Sequence, residues 1–251
     1  MSEKTIKHFD SDSYYKLFSI FGAYDRQLIK VLKSMLISEP AQILDMACGV
    51  GLSTVALRDN FPDSKITGVD IDSELIGYSK SKISCDGIEF KCSDISDLLA
   101  ETPDKPIDLI FVKSAYHYFD KEITISDLKS VLGEHGVIAV AERTSHSARS
   151  YPLPDIVSGY WGDIFSEPRP TRRFDAADLS EMELSVSSFG SYVTIPADIY
   201  LDAVKKNQLV GLWLLKPDVV NQWIKEQISK KTDSLKVYEE FRLYLYQNKA
   251  V

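Results

Sequence analysis

The stretch ILDMACGVG at positions 43 to 51, followed nineteen residues after Gly51 by the acid Asp70 of GVD, holds the most readable chemistry of this 251-residue chain. An apolar run ending in a carboxylate and a small-residue loop reads as a buried parallel strand, Gln42 to Met46, turning into a helix that begins near Leu52. Ala47, Gly49 and Gly51 remove side-chain bulk from that turn, so a ligand can approach the main chain closely. An acid at the tip of the next strand accepts hydrogen bonds from a ribose diol. Together these features imply a nucleoside ligand.

Spacing argues against two common nucleotide sites. The dinucleotide fingerprint G-x-G-x-x-G, counted from Gly49 and Gly51, requires glycine or alanine at position 54, where Thr54 stands. A phosphate-cradling G-x-x-x-x-G-K-[ST] loop is absent, and nothing basic follows Gly51 until Arg58. With no evident Tyr-x-x-x-Lys helix either, a nicotinamide dehydrogenase is the poorest of the readings weighed.

Asp45, Ala47, Gly49 and Gly51 together resemble the first motif of the class I S-adenosylmethionine-dependent methyltransferases, D-x-G-x-G-x-G, with Ala47 in place of the first glycine. Four more segments follow in that family's order. GVDID at 68 to 72 resembles its second motif, which implies Asp70 as ribose ligand and Ile71 as an apolar contact to adenine. FKCSDIS at 90 to 96 resembles the third, which implies that Asp94 accepts the adenine amino group and that Ile95 packs on the ring. IDLIFVKSAYHYFD at 107 to 120 resembles the fourth strand and its loop, with Lys113 and Ser114 lining the methionine end. LGEHGVIAVAE at 132 to 142 resembles a turn, here Glu134, His135 and Gly136, and a fifth strand. The resemblance implies S-adenosyl-L-methionine as cofactor, held by these residues with Asp45, Ala47, Cys48, Gly49 and Gly51. Asp70 and Asp94 each have a second reading, as caps of the helices that follow them.

A sulfonium cofactor brings an already activated methyl group, so a protein using it must chiefly bind, align and exclude water. If the acceptor is a phenol, a hydroxyl or a carboxylic acid, a base takes its proton. His117, just after the fourth strand, is either that base or a shaper of the HYFD loop, which resembles the family's HWFD. Glu142, at the end of the fifth strand, either serves the acceptor or pairs with Arg143 or Arg149. Tyr14, Tyr15 and Tyr24, with Tyr160, Trp161 and Trp213, suit a pocket for a flat or cationic acceptor, although core or lid packing is the prior reading for each taken singly. Arg169, Arg172 and Arg173 suit an anionic substrate or a solvated loop. No metal site is read.

The elements that must position these residues follow from periodicity. Apolar residues Leu17, Phe18, Phe21, Leu28, Val31, Leu32, Met35 and Leu36 predict a helical segment over 14–37, across the cofactor mouth. Strands over 42–46, 65–70, 87–92, 107–113 and 136–142 alternate with helices over 52–60, 73–82 and 122–132, which predicts a doubly wound parallel sheet. Pro152, Pro154, Pro168 and Pro170 around GYWGDIF predict an irregular lid over 145–174 rather than another strand and helix unit. Strands over 184–195 and 239–247, with helical patterns around Tyr200 and Trp223 between them, look like the family's final antiparallel pair. The expected fold is therefore a single α/β domain over 1–251, a seven-stranded, mostly parallel Rossmann-like methyltransferase sheet with helical lid insertions. Within it, 1–39 form an N-terminal helical lid, 40–143 the cofactor core, and 144–251 a lid, the last strands and a helical insertion.

Composition bounds the partners. With 29 basic and 37 acidic residues the net charge is -8, and no basic stripe is present to track phosphates, which argues against nucleic acid. Three cysteines, Cys48, Cys85 and Cys92, without C-x-x-C spacing, suggest neither a disulfide framework nor zinc, and fit a reducing cytoplasm. No apolar stretch reaches the length of a signal core or membrane span, so an unexported protein off the membrane is expected, as monomer or homodimer. The function read is methyl transfer to an oxygen, nitrogen or carbon of a small-molecule metabolite. Two alternatives stand beside it: a cyclase that consumes the cofactor and releases methylthioadenosine, and a non-catalytic module that binds the nucleoside to regulate a partner.

Overall fold

The computed structural model describes residues 10–100, 105–116, 119, 125–153, 182–206, 208–209, 212, 215–230 and 232–248. Two helices come first, α1 (Ser11–Ser19) and α2 (Gly22–Met35). Sequence periodicity ran through them as one segment, but Phe21 leaves helical geometry at φ -82°, ψ 0° and breaks it in two. The first helix also starts earlier than its apolar pattern, because the Asp10 side chain accepts from the Ser13 amide and caps it.

Strand and helix then alternate: β1 (Gln42–Met46), α3 (Leu52–Asn60), β2 (Lys65–Asp70), α4 (Ser73–Lys82), β3 (Ile88–Cys92), α5 (Ile95–Ala100), β4 (Ile107–Lys113), α6 (Ile125–Lys129) and β5 (Leu132–Arg143). A short helix α7 (Ser145–Ser150) follows β5, and the chain re-enters the sheet through β6 (Met182–Pro196), α8 (Ala197–Lys205), α9 (Pro217–Ser229) and β7 (Ser234–Asn248). The strand order is β3-β2-β1-β4-β5-β7-β6, with β1 to β5 parallel and β7 antiparallel to both neighbours. The direction of winding reverses between β1 and β4, the place where open α/β sheets bind ligands at their carboxyl ends.

Alternate residues of the strands face opposite layers. On one side Ile43, Leu109, Phe111, Ala139, Ala141, Phe241 and Leu243 pack under Leu28, Ile29 and Leu32 of α2, Ala56 and Leu57 of α3, and Tyr200 and Val204 of α8. On the other, Leu44, Met46, Ile110, Val112, Ile138, Val140, Tyr244 and Tyr246 meet Tyr116, Phe119 and Leu128. Burial on both faces is why β4 and β5 read as near-continuous apolar runs.

One expected feature is corrected. Glu134, His135 and Gly136 do not form a turn before the fifth strand; they lie inside β5, which begins at Leu132 and shifts register against β4 between Ile107 and Leu109. Gly136 is needed for closeness: a Cβ there would sit 2.8 Å from the Leu132 Cβ and 2.9 Å from the Ile107 carbonyl oxygen. The final strands outrun their alternating patterns, because β6 and β7 pair without interruption from Met182↔Asn248 to Pro196↔Ser234. The part of the expected 145–174 lid beyond 153 lies outside the described residues.

Candidate functional site

The loop after β1 is built from left-handed backbone. Ala47 (φ 55°), Gly49 (φ 56°) and Gly51 (φ 81°) all adopt it, and so does Ser114 (φ 55°) just past β4. Ala47 and Ser114 carry a Cβ against the steric preference of that region, and such strain clusters at functional sites. Their hold is tertiary: the Cys48 amide donates to the Val69 carbonyl at 3.0 Å, and the Ser114 amide to that of Ala141 at 2.9 Å.

Gly49 and Gly51 answer to different demands. A Cβ on Gly51 would lie 2.7 Å from both the Phe90 ring and Ile83 Cδ1, so this residue presses onto the core. A Cβ on Gly49 would have only the Tyr14 ring, 3.9 Å away, so the loop is open there toward α1. The Cys48 side chain is buried with Ile76 and Phe90, leaving only its backbone to the loop, and burial pushes its thiol well above the usual range.

Asp70 grips this loop. Its Oδ2 accepts from the Gly49 amide at 2.8 Å and its Oδ1 from the Asp72 amide at 3.0 Å. Burial raises its pKa, opposed by those two amides. The helix-cap role belongs to Asp72, which accepts from the Glu74 and Leu75 amides. Ile71 beside it is 45% exposed, a large apolar side chain left open at a strand tip. Asp94 does cap, its Oδ1 accepting from the Ser96 amide at 2.8 Å, while Ile95 packs partly buried on the second core layer.

Asp45 lies deeper. Its Oδ2 accepts from the hydroxyls of Ser53 at 2.8 Å and Thr54 at 2.6 Å, and its buried Oδ1 has no hydrogen-bond partner among the described residues. Burial pushes its pKa up to about 6, against the pull of the two hydroxyls and of Lys113. Thr54, which spoiled the dinucleotide fingerprint, is thus the residue that orients this acid. Sequence reasoning missed Ser53 and Thr54, whose signal is their place in the first helical turn after the glycines.

Lys113 is turned toward α2: its Nζ meets Asp25 Oδ1 at 2.6 Å and lies 5.4 Å from the centre of the Phe241 ring. Asp25 was also missed, since an acid among apolar helix positions reads as the solvent face. Of the expected aromatic wall, Tyr14 stands at Gly49 and stacks on Phe18 at 4.5 Å, and Tyr15 lies 5.5 Å from Tyr78 of α4. Tyr24 does not join them. It is buried, and its hydroxyl donates to the Phe189 carbonyl at 2.6 Å and accepts from the Phe241 amide at 3.1 Å. That places it in the core, stapling α2 to the last two strands. His117, Tyr160, Trp161, Trp213, Arg169, Arg172 and Arg173 lie outside the described residues.

Glu142 is buried at the end of β5, in register with Arg242. Arg143 donates from Nε at 2.9 Å and Nη2 at 2.7 Å to Glu239, which also accepts from Ser147 and Tyr151, and Arg149 donates to Ser145. Among the described residues no three His, Cys, Asp or Glu side chains group to hold a metal ion, and no helix is long and apolar enough to cross a membrane.

Residues 43–136 match the family model described as a methyltransferase domain. Two curated relatives are similar. The malonyl-[acyl-carrier protein] O-methyltransferase of Acetivibrio thermocellus is 29% identical over 143 residues, 55% of this chain and 50% of that one. The trans-aconitate 2-methyltransferase of Escherichia coli is 29% identical over 133 residues, 52% and 50% of the two chains. This chain thus spans about half the length of the curated relatives it matches. The plantazolicin methyltransferase BpumL, solved in complex with SAH, shares the fold at a TM-score of 0.59 and 15% identity, over 99% of this chain and 92% of that one. With the strand order, the left-handed glycine loop and the acids at successive strand tips, these matches make the core of this chain similar to the class I S-adenosylmethionine-dependent methyltransferases.

Proposed function

We propose that this chain binds S-adenosylmethionine over the carboxyl ends of β1, β2 and β3 and directs its methyl group to a small-molecule acceptor. The observation that carries this reading is the Asp70 carboxylate: it holds the Gly49 amide at 2.8 Å, beside the exposed Ile71 and a loop open at Gly49. Each of its oxygens accepts one backbone N–H and keeps acceptor capacity for a ribose diol. Asp94 has an oxygen left for an exocyclic amine, and Ile71 and Ile95 offer apolar surface to a ring. The bare Oδ1 of Asp45 fits a cationic donor, and burial makes that pairing strong.

When bound, the cofactor supplies an electrophilic methyl group. The chain then has to align an acceptor and keep water out, with Tyr14 and Tyr15 on α1 forming part of the cover. His117 and Glu142 are the groups assigned to take a proton from the acceptor. The names of the curated relatives point to malonyl-acyl carrier protein and trans-aconitate as the first acceptors to try.

Titration calorimetry with S-adenosylmethionine and S-adenosylhomocysteine tests the reading. Both give heat with the wild-type chain, and Asp70→Asn weakens each about 10-fold or more through lost ribose hydrogen bonds. The asparagine variant is chosen because it keeps one acceptor oxygen for the Gly49 amide and gives up that for the Asp72 amide, whereas alanine would release both. No heat from either ligand overturns the assignment. Methylthioadenosine formed without S-adenosylhomocysteine replaces methyl transfer by cyclisation of the cofactor, and tight binding with no turnover across an acceptor panel leaves a regulatory module.

A further inference from the structure

The two edges of the sheet are built differently. The β3 edge is five residues long and carries Glu89 and Lys91, the short charged kind that resists pairing with another chain. The β6 edge is fifteen residues long, MELSVSSFGSYVTIP, and Glu183 is its one charge. It contains no lysine or arginine, its proline is its last residue, and its pairing with β7 runs without a bulge. Among the described residues β6 is paired on one side only. Three large apolar side chains on one of its faces are open: Leu184 at 37%, Val186 at 51% and Tyr192 at 64%. Among the described residues, only Glu183 and the terminal Pro196 supply any of the usual protections against edge pairing.

We propose that the β6 edge pairs antiparallel with β6 of a second copy of this chain, about a two-fold axis through Phe189, joining two seven-stranded sheets into one. Phe189 is the midpoint of β6, so this register uses the whole strand. It sets Val186 opposite the partner's Tyr192, a β-branched residue against an aromatic one, and Leu184 opposite the partner's Thr194. Ser188, a small residue, faces the partner's Gly190, whose side-chain face is already covered by Tyr238 of the same copy. The two Glu183 side chains fall at opposite ends, each beside the partner's Ile195, so no like charges meet. A fifteen-residue strand is about 50 Å long, yet only a sheet edge wide, which puts the contact at the low end of specific interfaces and makes its occupancy concentration-dependent. The pairing is isologous and closes at two copies.

Sedimentation velocity on the full chain, from about 1 µM to about 200 µM, tests this pairing. The expected result is a reversible shift from the 28.3 kDa monomer to a dimer. Val186→Lys and Tyr192→Lys each weaken the shift at least about 10-fold; Val186→Lys leaves the melting temperature of the dilute protein unchanged, since that side chain is exposed, while Tyr192→Lys lowers it by losing the ring contacts to Tyr238 and Lys236. Hydrogen exchange within 182–196 slows with concentration in the wild type and not in the lysine variants. A chain still monomeric at the upper concentration overturns the proposal. So does a dimer that both variants form undiminished, or growth beyond two copies. Protection of 182–196 by an added extended peptide, with no self-association, assigns the edge to a strand of another protein and overturns it as well.

Discussion

A methyl group on Gly51 would collide with Phe90 and Ile83, while the same group on Gly49 would meet only Tyr14 at van der Waals distance. Gly51→Ala is therefore expected to lower stability by about 2 to 4 kcal/mol, from overpacking added to the left-handed backbone, and Gly49→Ala by only about 1 kcal/mol. Urea denaturation separates the two. Cofactor affinity should fall in both, and in Gly49→Ala without much loss of fold. Asp45 supplies a pH signature. Because burial holds its pKa up to about 6, above the unfolded value, it is protonated in the free protein on the acid side of that pH and carries a costly buried charge above it. Its effect on the free protein thus runs opposite to that of a salt-bridged acid: stability declines as pH rises from about 4 to about 6. A ligand cation against Oδ1 favours the ionised form, so affinity should rise through about pH 6 and level off above it. In Asp45→Asn the pH profile should be flat, the binding weaker at all pH, and the ligand-free protein at pH 8 more stable by up to about 3 kcal/mol. Calorimetry across about pH 5 to 8 checks the first two statements, and thermal melts the third.

At the scale of elements, the ion pair of Asp25 and Lys113 ties α2 to the tip of β4, and Tyr24 ties the same helix to β6 and β7. Asp25→Asn leaves the lysine facing an uncharged partner in a nearly dry site and is expected to cost about 2 to 4 kcal/mol. Adding Lys113→Met should recover much of that loss, and a double-mutant cycle of urea midpoints measures the coupling. Elements whose burial shows as periodicity were legible in the sequence to within a residue: β1, β2, β4, α3 and α4 all run as their patterns predict. The loop and the acids at the ends of those strands were legible for the same reason, since strand ends fix where side chains emerge. Contacts between elements far apart in sequence were not. Nothing local in 132–143 shows that Gly136 is pressed against a carbonyl of β4, and so it read as a turn glycine. Nothing local shows that Tyr24 is claimed by β7, more than two hundred residues away, and so pocket lining stood beside core packing among its readings. Asp25 and Thr54 look like surface polar residues until the fold brings Lys113 and Asp45 to them.

For the molecule as a whole, β7 decides whether the sheet closes. It lies between β5 and β6, and its Phe241, Leu243, Tyr244, Leu245 and Tyr246 are buried, alternating between the two core layers. Ending the chain before Ser234 would expose two long strand edges at once and strip both layers. Such a chain is expected to lack near-ultraviolet dichroism and to be recovered mainly in the insoluble fraction, while Val186→Lys, at the exposed edge, stays soluble and folded.

The placement of β7 also sets a schedule. β5 is complete at Arg143 and has β4 on one side, yet its neighbour on the other side begins only at Ser234, 91 residues later in the chain. At ordinary rates of synthesis the nascent protein carries that uncovered strand for roughly 5 to 18 seconds after the ribosome has made it. The half holding the nucleoside loop is ready early and has to wait for its last stave. During that interval the growing polypeptide is a natural client for a holding chaperone.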